Sequence, residues 1–190
     1  MTADKITTRQ KIIAAAKNLF STHGYSEATI DDIITAAGVT KGAFYHYFKS
    51  KEAICTEIID DVKKDYQNIF ESLPKDIDPL EKLKTAIKKI LELNCSGRWV
   101  NCKLILHIST QAHLLQSPIK QKLDDFWKWY IGQYRELITQ CRNLNLTGKK
   151  FSVQQQVDFI MSILIGNIWT KTVFDSNSDG EIIDYIVGKL

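Results

Sequence analysis

From Thr29 to Ile54 the chain reads TIDDIITAAGVTKGAFYHYFKSKEAI, and the fold turns on this stretch. Thr29 is an N-cap residue for a short helix carrying Ile30, Ile33, Ile34 and Ala37 at helical spacing. Gly38 breaks it, because a tight turn needs a backbone shape that glycine adopts without penalty. Thr40 opens a second short helix through about His46, with Phe44 and Phe48 facing inward. Ser50 caps a long helix whose apolar stripe is Ile54, Ile58, Val62, Tyr66, Ile69, Phe70 and Leu73. Two short helices joined by a glycine turn and braced by a third have the geometry of a helix-turn-helix. Any small three-helix bundle with such a turn shares the pattern.

Upstream, Thr7 and Gln10 make a capping box for a first helix with Ile12, Ile13, Ala16, Leu19 and Phe20 on one side. Gly24 is a left-handed stop after it. Downstream, Pro74 and Pro79 bracket a turn, and a helix follows from about 79 to 96. Ser96–Gly97 interrupts, and Trp99 to Leu115 continues as another. Ser117–Pro118 opens a long helix to about Asn143. Ser152 caps one to about Phe174, and a last short helix covers 181–189. No strand pattern occurs. The sequence predicts an all-α chain of about nine helices: a helix-turn-helix segment over 1–50 and a larger helical domain over 51–190. The helix from 51 to 73 connects them.

The net charge of +3 is unevenly placed. Residues 1–51 hold seven Lys/Arg against four acids, while the rest is balanced, so the whole excess lies where a polyanion-binding module would need it. The N-terminus is polar and lacks a secretory apolar stretch. The longest apolar run, Phe159–Ile168, is interrupted by Ser162, Gly166 and Asn167 and falls short of the roughly 18 residues that span a bilayer. The expectation is a cytoplasmic protein with no membrane partner. Cys55, Cys95, Cys102 and Cys141 form no CxxC pair and read as small buried hydrophobes.

The stretch quoted above resembles the DNA-binding signature of the tetracycline-repressor-like (TetR/AcrR) family nearly position by position, with RQKIIAAAKNLFSTHGYSEAT (9–29) supplying the family's first helix. The likeness covers about residues 8–60. It implies a transcriptional regulator, most simply a repressor, that binds double-stranded DNA at a palindromic operator and is released by a small-molecule effector. The chemistry of the residues agrees. Thr29 can offer a hydroxyl and helix N-terminal N–H groups to a phosphate. Tyr45 and His46 lie opposite the Phe44/Phe48 face, and Lys49 and Lys51 flank the second helix as point charges. Such contacts position a protein on DNA without reading sequence. Base reading falls to Thr40, Lys41, Gly42 and Ala43 at the helix start: Lys41 can donate to guanine, and Thr40 or Ala43 can touch a thymine methyl. Tyr45 could equally be a half-buried packing residue.

Beyond residue 60 the resemblance implies only a plan, an effector pocket followed by helices that pair with a second subunit. The residues add their own argument for a homodimer. The helix carrying Phe159, Met161, Ile165 and Trp169 is apolar nearly all round and must be buried on more than one side. Ser162 and Gly166 offer a flat strip for a partner, and Ile183 and Ile186 add apolar surface. The alternative is a central helix of a monomeric bundle. For the effector pocket the candidates are Tyr66, Phe70, Leu91, Trp99, His107, Gln111, Trp127, Tyr130 and Tyr134, an apolar and aromatic set with a few polar anchors. Aromatic residues at helical spacing also make plain core. Few acids lie on these stripes, which points to a neutral or anionic hydrophobic effector.

No cofactor is called for. Nucleophile elbow, Walker loop, dinucleotide fingerprint and paired catalytic carboxylates are all missing, which argues against an enzyme. Cys95, Cys102, His107 and His113 have spacings that fit no zinc pattern. A helical adaptor on the same fold, or an activator, is the competing reading.

Overall fold

The computed structural model describes residues 6–95, 101–111, 118–174 and Tyr185. Among them are eight helices and no strand: α1 (Thr8–Thr22), α2 (Ile30–Ala37), α3 (Lys41–Tyr47), α4 (Lys51–Glu71), α5 (Pro79–Cys95), α6 (Asn101–Gln111), α7 (Pro118–Asn143) and α8 (Val153–Phe174). The expected helix over 181–189 lies outside the described residues, apart from Tyr185.

Local chemistry sets most boundaries. Thr7 and Gln10 form the expected capping box at α1. Gly24 follows the end of α1 with φ +86°, and Gly38 ends α2 with φ +62°, both in the left-handed region that glycine alone occupies without strain. At Gly38 the backbone N–H of Val39 reaches back to the Ile34 carbonyl at 3.2 Å, closing the last turn. Asp78 starts α5: its Oδ1 accepts from the N–H groups of Leu80 and Glu81 at 2.9 and 3.0 Å, with Pro79 in the first position where a missing N–H costs nothing. Ser152 and Gln155 make a capping box at α8. Helix α4 stops at Glu71, short of the expected Leu73, because Pro74 disfavours helical backbone at the residue before it.

The described residues form two compact units, 6–63 with 101–126 and 64–95 with 127–174. In the first, α1 lays Ile12, Ala16 and Phe20 inward at i, i+4 and i+8, on the side of α2 and α3, whose Ile33 and Phe44 are buried, as are Ile54, Ile58 and Val62 of α4. α1 also packs on α6, whose Leu104, Ile105 and Ile108 are buried. Arg9 ties α1 to α4 through an ion pair with Glu57, and Lys122 reaches Asp60 at 2.7 Å. In the second unit, Leu83, Ile87 and Ile90 of α5 meet Ile160 and Leu164 of α8, and Tyr130, Tyr134 and Ile138 of α7 are buried. No described helix is long and apolar enough to cross a membrane.

Cys55, Cys102 and Cys141 are buried as expected of small hydrophobes; the Cys95 side chain lies outside the described residues. Burial pushes the Cys55 thiol up to about 12 and the Cys141 thiol up to about 11, so neither is a thiolate at neutral pH.

Candidate nucleic-acid interface

Helix α3 has seven residues and buries one of them fully, Phe44. That anchor packs edge-on against Tyr45 and tilts toward Phe48, the buried residue one turn on. With positions 44 and 48 inside, helical geometry puts His46 on the opposite side and Tyr45 and Tyr47 on the flanks. Tyr45, His46 and Tyr47 are all exposed, at 39% and 41% for the two tyrosines. Tyr47 is absent from the expected contact set, although the i, i+4 spacing of the two phenylalanines is a signal that would have found it.

The start of α3 is equally open. Thr40 caps the helix by accepting from the Ala43 N–H at 3.1 Å. Thr40, Lys41 and Gly42 are exposed and Ala43 is half-buried. A Cβ built on Gly42 would meet nothing closer than the Thr40 hydroxyl at 4.0 Å, so no internal packing requires glycine there. Only something approaching from outside would notice the missing methyl. Lys41 lies 3.8 Å from Asp31 with both groups well exposed, a pair too solvated to hold the ammonium back from another anion. Lys49 is exposed too, its ammonium 3.4 Å from the Tyr45 carbonyl.

Two residues differ from expectation. Thr29 is exposed, but its hydroxyl donates to Asp32 Oδ2 at 2.6 Å and its N–H donates to the same oxygen at 2.9 Å. The Asp32 carboxyl is held below its usual range by the Thr29 hydroxyl first and the Thr29 N–H second. Thr29 is thus committed to a capping box. Lys51 is a larger correction: its ammonium donates to the carbonyls of Tyr25 (2.7 Å), Ser26 (3.2 Å) and Ala28 (2.8 Å) and sits 4.5 Å from the Tyr25 ring centre. Burial lowers its pKa, and burial likewise pushes the Tyr25 phenol up to about 12. All three ammonium protons go to the turn between α1 and α2, so Lys51 secures that turn.

The effector candidates divide between the units. Tyr66, Phe70, Trp127, Tyr130 and Tyr134 come together in the second, joined by Trp129, which the sequence reading omits. Their rings meet edge to face: Tyr66–Tyr130 centroids are 5.0 Å apart, Tyr130–Tyr134 5.3 Å and Phe70–Tyr134 5.5 Å. The Tyr130 and Tyr134 hydroxyls lie 3.3 Å apart. Beside this cluster is a cleft of about 170 Å³ lined by Phe70, Leu73, Lys82, Gln133, Glu136, Leu137 and Gln140. Leu91 is buried in α5. His107 and Gln111 belong to the first unit. His107 has its pKa lowered by burial and by Lys103, and Gln111 is turned onto the α1–α2 turn, where it accepts from the Ser26 N–H at 3.1 Å. Trp99 lies outside the described residues.

On α8, Phe159, Ser162, Gly166 and Trp169 share one exposed face, with the aromatic residues 38% and 42% exposed. Ile165 is half-buried. Met161 belongs instead to the inward stripe of Val157, Ile160 and Leu164 and is buried in its own unit, so it is unavailable to a partner. Ile183 and Ile186 lie outside the described residues.

Comparison with known proteins matches residues 12–58 to the family described as bacterial regulatory proteins, tetR family. The chain is 29% identical over 127 residues to an HTH-type transcriptional regulator in the lacX 3′ region of Lactococcus lactis subsp. lactis, covering 64% of this chain and 65% of that one. It thus spans just under two thirds of that relative. It is 25% identical to the HTH-type transcriptional repressor DhaR of Mycobacterium sp. (strain GP1), over 84% of this chain and 80% of that one. Among solved structures, AibR in complex with isovaleryl coenzyme A and operator DNA superposes with a TM-score of 0.80 at 20% identity, over 96% and 97% of the two chains. The capped α2–α3 pair, its glycine turn and its outward residues lie within residues 12–58, the segment that matches the tetR family of bacterial regulatory proteins.

Proposed function

We infer that this chain is a ligand-responsive transcriptional repressor that binds a palindromic operator as a homodimer in the cytoplasm and has no enzymatic activity. The observation that carries the reading is the outward surface of α3. Lys41, Gly42, Tyr45, His46 and Tyr47 are exposed, and no internal packing accounts for the glycine. On this reading residues 1–50 are the DNA-binding domain. Lys41, Gly42 and Ala43 read base edges, Thr40 joins them as cap, and Tyr45, His46 and Lys49 contact phosphates. Residues 51–190 sense and dimerise. The exposed Phe159, Ser162, Gly166 and Trp169 face pairs with its copy, with Ile165 at its edge. A dimer is what lets two recognition helices read two half-sites one helical turn apart.

The effector is a small hydrophobic molecule, neutral or anionic, received by the aromatic cluster of Tyr66, Phe70, Trp127, Tyr130 and Tyr134. The repressor name of DhaR and the isovaleryl coenzyme A held by AibR are in keeping with this. Short-chain acyl thioesters are therefore the first probes to try. The test of the central claim is a gel shift on the DNA upstream of the chain's own gene, run across a salt series with the parent, Lys41→Ala and Tyr45→Ala. Specific binding should weaken with salt and with each substitution. Equal, salt-insensitive binding by all three proteins would defeat it.

A further inference from the structure

The turn between α1 and α2 is gripped by two side chains from outside the three N-terminal helices. Lys51, at the start of α4, donates to the Tyr25, Ser26 and Ala28 carbonyls. Gln111, the last residue of α6, comes from much further along the chain: its Oε1 accepts from the Ser26 N–H at 3.1 Å, 85 residues away. Ser26 therefore has its N–H held by α6 and its carbonyl held by α4. The Gln111 amide also lies beside Gly24. A Cβ at Gly24 would come within 2.6 Å of the amide nitrogen and 3.3 Å of Cδ and Oε1. The glycine thus serves twice, for its positive φ and for the room it leaves Gln111. Three residues after Ser26 comes Thr29, whose capping box fixes where α2 begins and, through Gly38, how α3 is presented.

We propose that Gln111 is a positioning residue for DNA binding: by holding Ser26 and covering Gly24 it sets the direction in which α2 and α3 leave α1. This rests on the repressor reading above. It moves Gln111 out of the effector-lining set, because its amide oxygen is already engaged by Ser26 and its amide nitrogen lies beside Gly24. Removing the acceptor leaves the hydrophobic contacts of α1, α2 and α3 intact, so the three helices stay folded while their common orientation loosens.

The experiment uses the full chain and the DNA upstream of its own gene, with Gln111→Ala, Gln111→Glu and the parent. Gln111→Glu keeps an acceptor for Ser26, and Gln111→Ala keeps none. Gln111→Ala should bind the DNA about tenfold more weakly, with a melting temperature within about 2 °C of the parent, and Gln111→Glu should recover most of the affinity. Hydrogen exchange at the Ser26 amide should quicken in Gln111→Ala and stay slow in Gln111→Glu, a readout that does not depend on DNA. Binding by Gln111→Ala within about twofold of the parent would overturn the proposal. So would unchanged exchange at Ser26, or an affinity loss that tracks a fall in melting temperature and is not recovered by Gln111→Glu. Failure of the parent itself to bind DNA is a different result: it removes the repressor reading, and this inference with it.

Discussion

The α2–α3 segment and the aromatic cluster of α4 and α7 are both rich in tyrosine, yet they explain themselves in opposite ways. In the cluster, Tyr66, Tyr130 and Tyr134 are buried and meet one another edge to face. Packing gives these three rings a reason to be there, and contact with the proposed effector would come on top of it. On α3, Tyr45 and Tyr47 stand exposed beside a glycine that no neighbour requires. Their ring contacts, Tyr45 on Phe44 and Tyr47 on His46, leave much of each ring in solvent. Function is most legible where a residue lacks an internal cause, which is why the proposed DNA-binding surface can be named residue by residue while the proposed effector site can be named only as a set.

That contrast can be broken by substitution. Tyr134→Ala should have the largest effect, a loss of about 3–5 kcal/mol in urea unfolding, with DNA affinity of the folded protein nearly unchanged. Tolerance of that substitution would show the cluster to be loosely packed. Lys41→Ala and Tyr45→Ala should do the reverse. DNA binding should fall about 10- to 100-fold in a gel shift, with stability altered by no more than about 0.5 kcal/mol. A stability loss comparable to that of Tyr134→Ala would place them in the core. Gly38→Ala should destabilise by about 1–2 kcal/mol through backbone strain alone, because φ is +62° and a Cβ there would touch nothing within 4 Å. A neutral result in thermal melts would mean that the turn relaxes. The smallest effect concerns acid. The Asp32 carboxyl is held below its usual range by the Thr29 hydroxyl and N–H. Its contribution is therefore complete above the unfolded value near 4 and is lost as pH falls through the folded value. Asp32→Asn should flatten the decline in melting temperature between about pH 5 and 3. Parallel curves for parent and variant would detach the capping box from stability.

The features legible in the sequence are those in which cause and effect lie within a few residues. Thr7 with Gln10, Thr29 before its helix, Gly38 in the turn, Pro118 and Ser152 at helix starts all have neighbours for partners, and each stands where the sequence puts it. The end of α4 is the exception, misjudged by two residues because Pro74 acts backward on Leu73. What the sequence does not reveal is long-range. Lys51 looks like a free cation until the Tyr25, Ser26 and Ala28 carbonyls close around it. Gln111 looks like a pocket anchor until Ser26 is found beside it. Met161 and Phe159 are equally apolar on paper, and only packing decides that one faces in and the other out. Charge counting suffers in the same way. Arg9 and Lys51 belong to the N-terminal excess, yet one is paired with Glu57 and the other is spent on carbonyls.

The single anchor of α3 has a consequence for how this protein could change over time. Phe44 is the one fully buried residue of the helix, and Lys41, Gly42, Tyr45, His46 and Tyr47 are exposed and carry few folding duties. On the proposed reading, substitutions there would alter which DNA is favoured without first disturbing the scaffold. The segment behaves as an exchangeable cassette, open to retargeting by drift or by design.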